Sequence, residues 1–115
     1  MRYLLLIFDD PDVLAALGPD ERSRILADYH VFTEEIRRSG HFRSGNGLEP
    51  VATATTIRIR NGKRVMFDGA CADTKEQLAG YYEVAAADLD EAIRLAERIP
   101  STRFGAVEVR PILHT

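Results

Sequence analysis

Hydrophobic side chains follow one another almost without interruption from Arg2 to Phe8. A strand that is buried on both faces of a sheet shows this pattern, so the segment predicts a central strand. The next residues combine Pro11 with three aspartates, which are residue types that end strands and begin helices. We therefore predict a short helical turn from Asp12 to Leu17.

Two later segments, 19–39 and 88–99, carry apolar residues at helical spacing. The first begins with proline and acidic residues, which suit a helix N-terminus. The second begins with Asp88 and Glu91, which resemble a capping box. Both segments predict helices with one apolar face. The predicted apolar positions are Ile25, Leu26, Tyr29, Phe32 and Ile36 in the first helix, and Leu89, Ala92, Ile93, Ala96 and Ile99 in the second.

A β-hairpin is predicted where two β-rich runs, 53–60 and 63–68, are joined by an Asn-Gly dipeptide. This dipeptide favours a type I′ turn, in which Arg60 pairs with Lys63. In that register neither face of the hairpin is purely apolar. We therefore expect the hairpin to be only half covered.

The rest of the chain completes the predicted topology. Segment 41–50 is irregular or a short strand, 69–77 is a polar loop, and 78–86 and 106–112 are strands. The resulting order is β-α-β-hairpin-β-α-β. It predicts a single domain over 1–115 with an α+β, ferredoxin-like fold, a split βαβ sandwich with an inserted β-hairpin.

In such a fold both helices cover the same face of the sheet. The first strand has apolar residues on both sides, so Leu4, Leu6 and Phe8 need a cover on the face opposite the helices. A second copy of the chain is the simplest cover. We therefore predict a homodimer that forms through this face.

Composition narrows the functional classes. The chain has 115 residues, of which 45% are hydrophobic and 29% charged, and its net charge is −3. The apolar run that ends at Phe8 is too short for a membrane span or a signal peptide. Cys71 is the one cysteine, so it forms no internal disulfide. Together these features predict a cytoplasmic protein, and the absence of a basic block argues against nucleic acid as a partner.

Three stretches resemble members of the YCII-related family, in its DGPF-domain branch. They are the opening Met1–Asp10, the central Asp68–Tyr82 and the closing Val107–Pro111. The family usually has Asp-Gly-Pro-Phe in the central stretch, where this chain has Ala70 and Cys71 instead of proline and phenylalanine.

The resemblance implies a ferredoxin-like fold that pairs into a dimeric α/β barrel. It also implies a cleft between the sheet and the loop after the hairpin. The family's activity is generally unassigned, and its members are often encoded beside alternative sigma factors. A shared fold does not by itself transfer a reaction.

The loop 68–76 concentrates ionisable residues and is one predicted site. Asp68 is a candidate general base, Lys75 a candidate receptor for an anionic ligand group, and Glu76 a group that orients it. Cys71 is expected to shape specificity as a small apolar filler, with a nucleophilic role as the alternative. The other interpretation of these charges is a solvated surface loop.

Tyr29 and His30 lie near the helical position at which related proteins carry a functional-looking histidine. Tyr29 belongs to the apolar stripe, so we expect a core residue whose hydroxyl reaches the cleft. His30 is either a surface histidine or one half of an acid–base pair with Asp9 or Asp68. Asp9 is also a candidate ligand-binding residue, although turn formation and helix capping are the more usual explanation of an aspartate in this position.

Two classes of function remain open. The first is a cofactor-free acid–base enzyme, of isomerase or lyase type, that acts on a small organic acid. The second is a non-catalytic dimeric module that binds a small molecule or regulates, linked by the resemblance to sigma-factor-controlled transcription. We predict no metal and no cofactor, because the sequence contains neither a metal-ligand motif nor a glycine-rich phosphate loop.

Overall fold

The computed structural model describes residues 1–114 and has the predicted α+β architecture. Its strands are β1 (Arg2–Asp9), β2 (Phe42–Gly47), β3 (Thr55–Arg60), β4 (Lys63–Asp68), β5 (Gln77–Ala85) and β6 (Ala106–Pro111). Its helices are α1 (Pro11–Ala15), α2 (Pro19–Arg38) and α3 (Leu89–Glu97). Short 3₁₀ turns lie at Val51–Thr53 and Pro100–Arg103.

Four strands form an antiparallel sheet in the order β2-β5-β1-β6. As predicted, β1 is central, because it pairs with β5 on one side and β6 on the other. The order and the helical connections are those of a ferredoxin-like fold, which confirms the predicted fold class. The sequence predicts either an irregular segment or a short strand for 41–50. In the structure this segment contributes the edge strand β2.

The helix starts follow the sequence signals closely. Asp10 caps α1, with its side chain accepting a hydrogen bond of 2.9 Å from the Asp12 amide. Asp88 caps α3 by accepting from the Glu91 amide at 2.9 Å. The Glu91 carboxylate accepts from the Ala87 amide at 3.0 Å, one residue before the position of a standard capping box. Both helix starts are thus stabilised by local side chains.

The core lies between the helices and one face of the sheet. Phe32 and Ile36 of α2 pack there against side chains of β1 and β5. The predicted apolar stripes are only partly correct, because Leu26 is 64% exposed and Leu89 is 47% exposed. The buried hydrophobic residues are Tyr3, Leu5, Ile7, Phe32, Ile36, Tyr82, Val84, Ala86, Ala92, Leu95, Ala96 and Ile99.

Leu4, Leu6 and Phe8 point away from the helices, because side chains alternate along β1. They are half-buried, and no helix of the described chain covers that face. We call this surface the open sheet face. The homodimer expected from these residues stays a prediction.

The hairpin of β3 and β4 forms a separate two-stranded sheet. Arg60 pairs with Lys63, as predicted, and both turn residues have positive φ: 51° at Asn61 and 74° at Gly62. These values are those of a type I′ turn. The hairpin is less covered than expected, since every residue of β4 is exposed.

The hairpin gives the molecule an extended outline. The radius of gyration is 16.0 Å, whereas a compact chain of this length has about 13 Å. The molecule measures 48 × 44 × 18 Å, so it is also flat. One sheet with helices on a single face accounts for the short dimension. Over residues 1–114, none of the helices combines the length and the apolar character that a membrane crossing requires.

Candidate functional site

A cleft of about 550 Å³ lies between α2 and the sheet. Its walls are α2 on one side and β2, β5 and the end of β1 on the other. Gly45 and Gly80 keep the strands close to each other there: a Cβ at Gly45 would lie 2.7 Å from the Tyr82 ring, and one at Gly80 would lie 2.9 Å from the Asn46 carbonyl oxygen. The cleft thus combines a helical wall with a tightly packed strand wall.

Asp9 lies at the end of β1 and lines this cleft. Its Oδ1 atom is buried and accepts no hydrogen bond from the described residues. Burial raises the pKa of the Asp9 carboxyl and is the largest effect. Two smaller effects act on the same pKa: the Ser101 hydroxyl lowers it, and the charge of Glu76 raises it. A carboxyl in this setting holds its proton to a higher pH than an exposed one.

Gly105 closes the space behind the Asp9 carboxyl. A Cβ atom at this position would lie 2.2 Å from the Phe8 carbonyl oxygen and 3.1 Å from Asp9 Oδ1. Since real Cβ atoms do not approach other atoms to 2.2 Å, the contact requires glycine. The Gly105 backbone therefore lies directly against Phe8 and Asp9, at a distance that leaves no room for a side chain.

Tyr29 contributes a phenol next to this carboxyl. Its hydroxyl lies 2.5 Å from Ser101 Oγ, in a hydrogen bond that joins α2 to the 3₁₀ turn after α3. Ser101 is fully buried. Burial raises the pKa of the Tyr29 phenol to about 12; the Ser101 hydrogen bond lowers it, and nearby Asp9 raises it further. Tyr29 is therefore a proton-bearing hydroxyl at neutral pH rather than a base.

A second pair of hydroxyls joins the two walls of the cleft. Thr33 Oγ1 donates to the Tyr29 carbonyl at 2.8 Å and lies 2.7 Å from the Tyr82 hydroxyl. Since a threonine hydroxyl has one proton, Tyr82 is the donor in the second bond. Burial raises the pKa of Tyr82, and the Thr33 hydrogen bond and the Arg37 charge lower it. Tyr82 is held in place by Phe32, whose ring centroid is 5.2 Å away.

Besides Tyr29, three charged or titratable side chains of α2 line the cleft: His30, Glu34 and Arg37. The Arg37 guanidinium lies 4.2 Å from the centre of the Phe42 ring, a cation–π contact that fixes its position. His30 is exposed. The part of α2 that lines the cleft, which we call the rim, thus carries a permanent positive charge, a carboxylate and an imidazole within about two helical turns.

The structure brings together three of the seven residues predicted from the sequence. Asp9, Tyr29 and His30 line the same cleft. Asp68 does not line it: this residue is exposed at the end of β4, because the hairpin extends away from the sheet. Asp68 therefore does not lie in one cleft with Tyr29 and His30. An acid–base pair of His30 with Asp68 would need that arrangement.

The remaining predicted residues lie outside the cleft. Cys71 is exposed, and its Sγ atom accepts a hydrogen bond of 3.5 Å from Arg58. Lys75 and Glu76 line a different surface groove beside β1 and β6. There the Lys75 Nζ atom lies 3.8 Å from Asp10 Oδ2, although the lysine side chain is 84% exposed. Glu76 is linked to the cleft through its effect on the pKa of Asp9.

Sequence reasoning missed the hydroxyl groups that surround Tyr29, namely Ser101, Thr33 and Tyr82. Ser101 follows Pro100, and in the sequence this dipeptide indicates nothing beyond a helix end. Thr33 lies four residues after Tyr29, which is one helical turn, so helical periodicity alone places both on one face. That spacing is the one signal that was available.

The cluster can hold and move a proton. Asp9 has a raised pKa, and Tyr29 and Ser101 supply hydroxyl groups beside it. Among residues 1–114, no three His, Cys, Asp or Glu side chains come together in a way that would hold a metal ion. The groups present are those of acid–base chemistry or of polar ligand recognition.

Comparisons with known proteins agree on one family. The family model described as "YCII-related domain" matches residues 1–115. An uncharacterised protein of Rhizobium meliloti (strain 1021) is 34% identical over 116 residues, which span 97% of this chain and 92% of that protein. The similarity therefore extends over the cleft, the hairpin and the loop alike.

Proposed function

The chain belongs to the YCII-related family, and from that premise we propose that it binds a small organic anion in the cleft between α2 and the sheet and moves a proton on it. The observation that carries this proposal is the Asp9 carboxyl, which has a buried oxygen without a partner among the described residues and a raised pKa. Groups of this kind are concentrated at functional sites.

The reaction class follows from the neighbours of Asp9. As a carboxylate, Asp9 removes a proton from a carbon next to a carbonyl group and returns it to another carbon, which is an isomerisation without net gain or loss of atoms. Tyr29, which keeps its proton, donates a hydrogen bond to the oxygen on which charge develops. In the free chain Tyr29 donates that proton to Ser101 Oγ, because the single Ser101 proton is directed at Asp9, so the Tyr29 hydroxyl exchanges this bond for the one to the ligand.

The ligand class follows from the rim. Arg37 is the permanent cation of the cleft wall, and its guanidinium is positioned by Phe42. It suits a carboxylate, which a guanidinium binds through two parallel hydrogen bonds. His30 adds a second positive charge when it is protonated, whereas Glu34 restricts where an anion can enter.

A non-catalytic binding module is the second candidate. It is favoured by the mutual pairing of hydroxyls at the cleft, Tyr29 with Ser101 and Tyr82 with Thr33, because this pairing holds polar groups in fixed positions, as in a preformed pocket. A regulatory role linked to sigma-factor-controlled transcription belongs to this alternative. Assignment to the DGPF-domain branch and a cytoplasmic location stay predictions under both.

The test combines binding with proton exchange. A panel of small carboxylic acids is screened by thermal shift, because a ligand that binds the folded chain raises its melting temperature. Hits are incubated in deuterium oxide with the protein, and NMR measures whether carbon-bound protons exchange. We expect Asp9→Asn to abolish exchange while it retains the thermal shift.

The controls separate the hypotheses. Asp68→Asn alters a carboxyl outside the cleft, so we expect native binding and exchange from it. A thermal shift without exchange in the native chain would favour the binding module. Loss of ligand response in Asp68→Asn together with a full response in Asp9→Asn would return the site to the loop 68–76.

A further inference from the structure

The chain reverses its direction at the end of α2 and brings two chemically active side chains together there. Gly40 follows the helix with a φ of 83°, in the left-handed region that glycine adopts without strain. The Gly40 amide donates to the Arg37 carbonyl at 3.2 Å. The His41 amide donates to the Ile36 carbonyl at 3.0 Å, which completes a Schellman motif. This reversal places His41 beside Ser39, the C-cap residue of the helix.

A hydrogen-bonded chain of side chains runs from Ser39 through His41 to a carboxylate. Ser39 Oγ lies 2.6 Å from His41 Nδ1, and His41 Nε2 lies 3.1 Å from Glu91 Oε1. Glu91 belongs to the first turn of α3, and its Oε1 atom also accepts from the Ala87 amide. The His41 backbone is held against β5, because the Ala85 amide donates to its carbonyl at 2.8 Å. We call the side chains of Ser39, His41 and Glu91 the relay.

The carboxylate decides where the protons of the relay lie. The Ala87 amide lowers the pKa of Glu91, and the His41 hydrogen bond lowers this pKa further, so Glu91 is ionised at neutral pH. A carboxylate only accepts hydrogen bonds, so the neutral His41 ring carries its proton on Nε2. Nδ1 then has a lone pair, and at 2.6 Å it accepts the proton of the Ser39 hydroxyl. The Ile36 carbonyl, 3.2 Å from the same hydroxyl, is the more distant acceptor. The serine is thus bound to a base that a third group orients, which is the arrangement of an activated nucleophile.

The serine of the relay is open to a reagent from solvent. Ser39 is exposed, whereas the other two side chains of the relay are only 26% and 32% exposed. The Arg43 guanidinium lies over the same turn, since its Nη1 atom donates to the carbonyls of Gly40 at 2.8 Å and Phe42 at 3.0 Å. This permanent positive charge favours negative charge that develops on an oxygen at this turn. None of the three relay residues lines the cleft between α2 and the sheet, so the relay is a separate site.

We propose that Ser39 is a nucleophile that takes an acyl group from activated carboxylic esters, with His41 as the general base. The Ser39 Oγ atom forms a bond to the acyl carbon, and the bond from that carbon to the leaving oxygen breaks. The Ser39 proton passes to His41 Nδ1 and then to the leaving oxygen, so atoms and charges balance. Glu91 is a positioning residue that orients the His41 ring and stabilises its charged form during the transfer. The inference is independent of what the cleft binds.

Acetylation of the full chain by p-nitrophenyl acetate tests the proposal. The reaction is quenched with acid at short times, and peptide mass spectrometry measures the acetyl groups on each serine separately from those on amines. Ser23, an exposed serine of the same helix, is the internal control. Because a positioned general base accelerates a reaction about a hundredfold or more, we expect Ser39 to be acetylated about a hundredfold faster than Ser23.

Substitutions in the relay separate the roles of its members. His41→Gln removes the base and should slow the acetylation of Ser39 about a hundredfold. Glu91→Gln keeps an oxygen that accepts hydrogen bonds but removes the charge, so it should slow this acetylation roughly tenfold while circular dichroism stays native. His114→Gln is the matched control, because it replaces an exposed histidine outside the relay. We expect the native rate of Ser39 acetylation from this control.

NMR of the imidazole nitrogens provides a second measurement, which needs no variant. In the neutral ring of His41 the relay requires a proton on Nε2 and a lone pair on Nδ1. Three results would overturn the proposal. They are acetylation of Ser39 no faster than that of Ser23, an unchanged rate at Ser39 in His41→Gln, and a neutral His41 ring with its proton on Nδ1. A native rate in Glu91→Gln would remove the positioning role of Glu91.

Discussion

Asp9 and Asp68 are both aspartates that end a β-strand, yet Asp9 is half-buried and Asp68 is exposed. Asp9 ends the central strand and packs against Gly105, and burial raises the pKa of its carboxyl. Asp68 ends a strand that is exposed along its whole length. Sequence position relative to a strand therefore does not decide the chemistry of a carboxyl, whereas the packing of that strand does.

The same contrast extends to the two surrounding regions. Polar groups are packed away from solvent behind the cleft, at what we call the cleft base, formed by Asp9, Ser101 and Gly105; Ser101 there is fully buried. The hairpin of β3 and β4, which we call the arm, leaves apolar side chains exposed to solvent, as shown by Ile59. We therefore expect substitutions at the cleft base to change stability and chemistry together. Substitutions in the arm should change local order.

The largest effect is expected from Gly105→Ala at the cleft base. The added Cβ would lie 2.2 Å from the Phe8 carbonyl oxygen, so the backbone must move. Overpacking of this kind should lower the free energy of unfolding by about 3 kcal/mol, measured by urea denaturation.

Gly47→Ala is the control for this substitution. Gly47 lines the cleft, but a Cβ there meets nothing within 4 Å. We expect a change below about 0.5 kcal/mol. Equal effects of the two variants would show that Gly105 is not in close contact with β1.

The next effect in size is expected from Ser101→Ala. It removes the partner of the Tyr29 hydroxyl and leaves that buried phenol without its hydrogen bond. An unsatisfied buried polar group should lower the free energy of unfolding by about 2 kcal/mol. The pKa of Asp9 should also rise, since the Ser101 hydroxyl lowers it in the native chain, and NMR titration would detect this.

Thr74→Ala is the matched control in the exposed loop. The Thr74 hydroxyl donates to the Glu76 carbonyl at 2.6 Å, but the residue is exposed, so water replaces the lost bond. We expect less than about 0.5 kcal/mol here. A loss as large as that of Ser101→Ala would contradict the distinction between the two regions.

Local signals in the sequence were sufficient for most of the fold. The apolar run before Asp9 predicted the central strand, and the Asn-Gly dipeptide predicted both the turn type and the register of the arm. Asp88 predicted the start of α3. Each of these features depends on residues that are close in sequence, where propensity and hydrogen bonding act directly.

The site could be predicted only in part, because it is built by contacts between distant segments. Tyr29 and Ser101 are 72 positions apart, and the packing of α2 against the turn after α3, rather than any motif, brings them together. The loop hypothesis for Asp68 had a similar weakness. A charged cluster in the sequence does not reveal whether its strand packs on the core or extends from it. Leu26, exposed despite its helical spacing, shows the same limit.

A smaller and pH-dependent effect is expected from Asp9→Asn. In the folded chain the Asp9 pKa is raised from 3.8, so between that value and the folded pKa the folded state keeps a proton that the unfolded state has lost. Stability therefore falls as pH rises through this window. Asn carries no charge, so Asp9→Asn should be more stable than the native chain at pH ~7, and this gain should shrink toward pH ~4.

Asp68→Asn is the control for this effect, since it removes an exposed carboxyl and should change the free energy of unfolding by less than about 0.5 kcal/mol. Urea denaturation at both pH values provides the measurement. A gain for Asp9→Asn that is the same at both pH values would show that its cause is packing rather than ionisation.

The smallest global effect is expected from Gly62→Ala in the turn of the arm. Gly62 has a φ of 74°, and an L-residue in this left-handed region costs about 1 kcal/mol. If the arm opens independently of the core, this cost is local, and amide exchange in β3 and β4 should accelerate roughly fivefold. The free energy of global unfolding should then change by less than about 0.5 kcal/mol.

Lys63→Ala, next to the turn but without its strained φ, should leave exchange close to native. If global stability instead fell by the full cost of the turn, the arm would unfold together with the core, and the contrast between a packed cleft base and an independent arm would be lost.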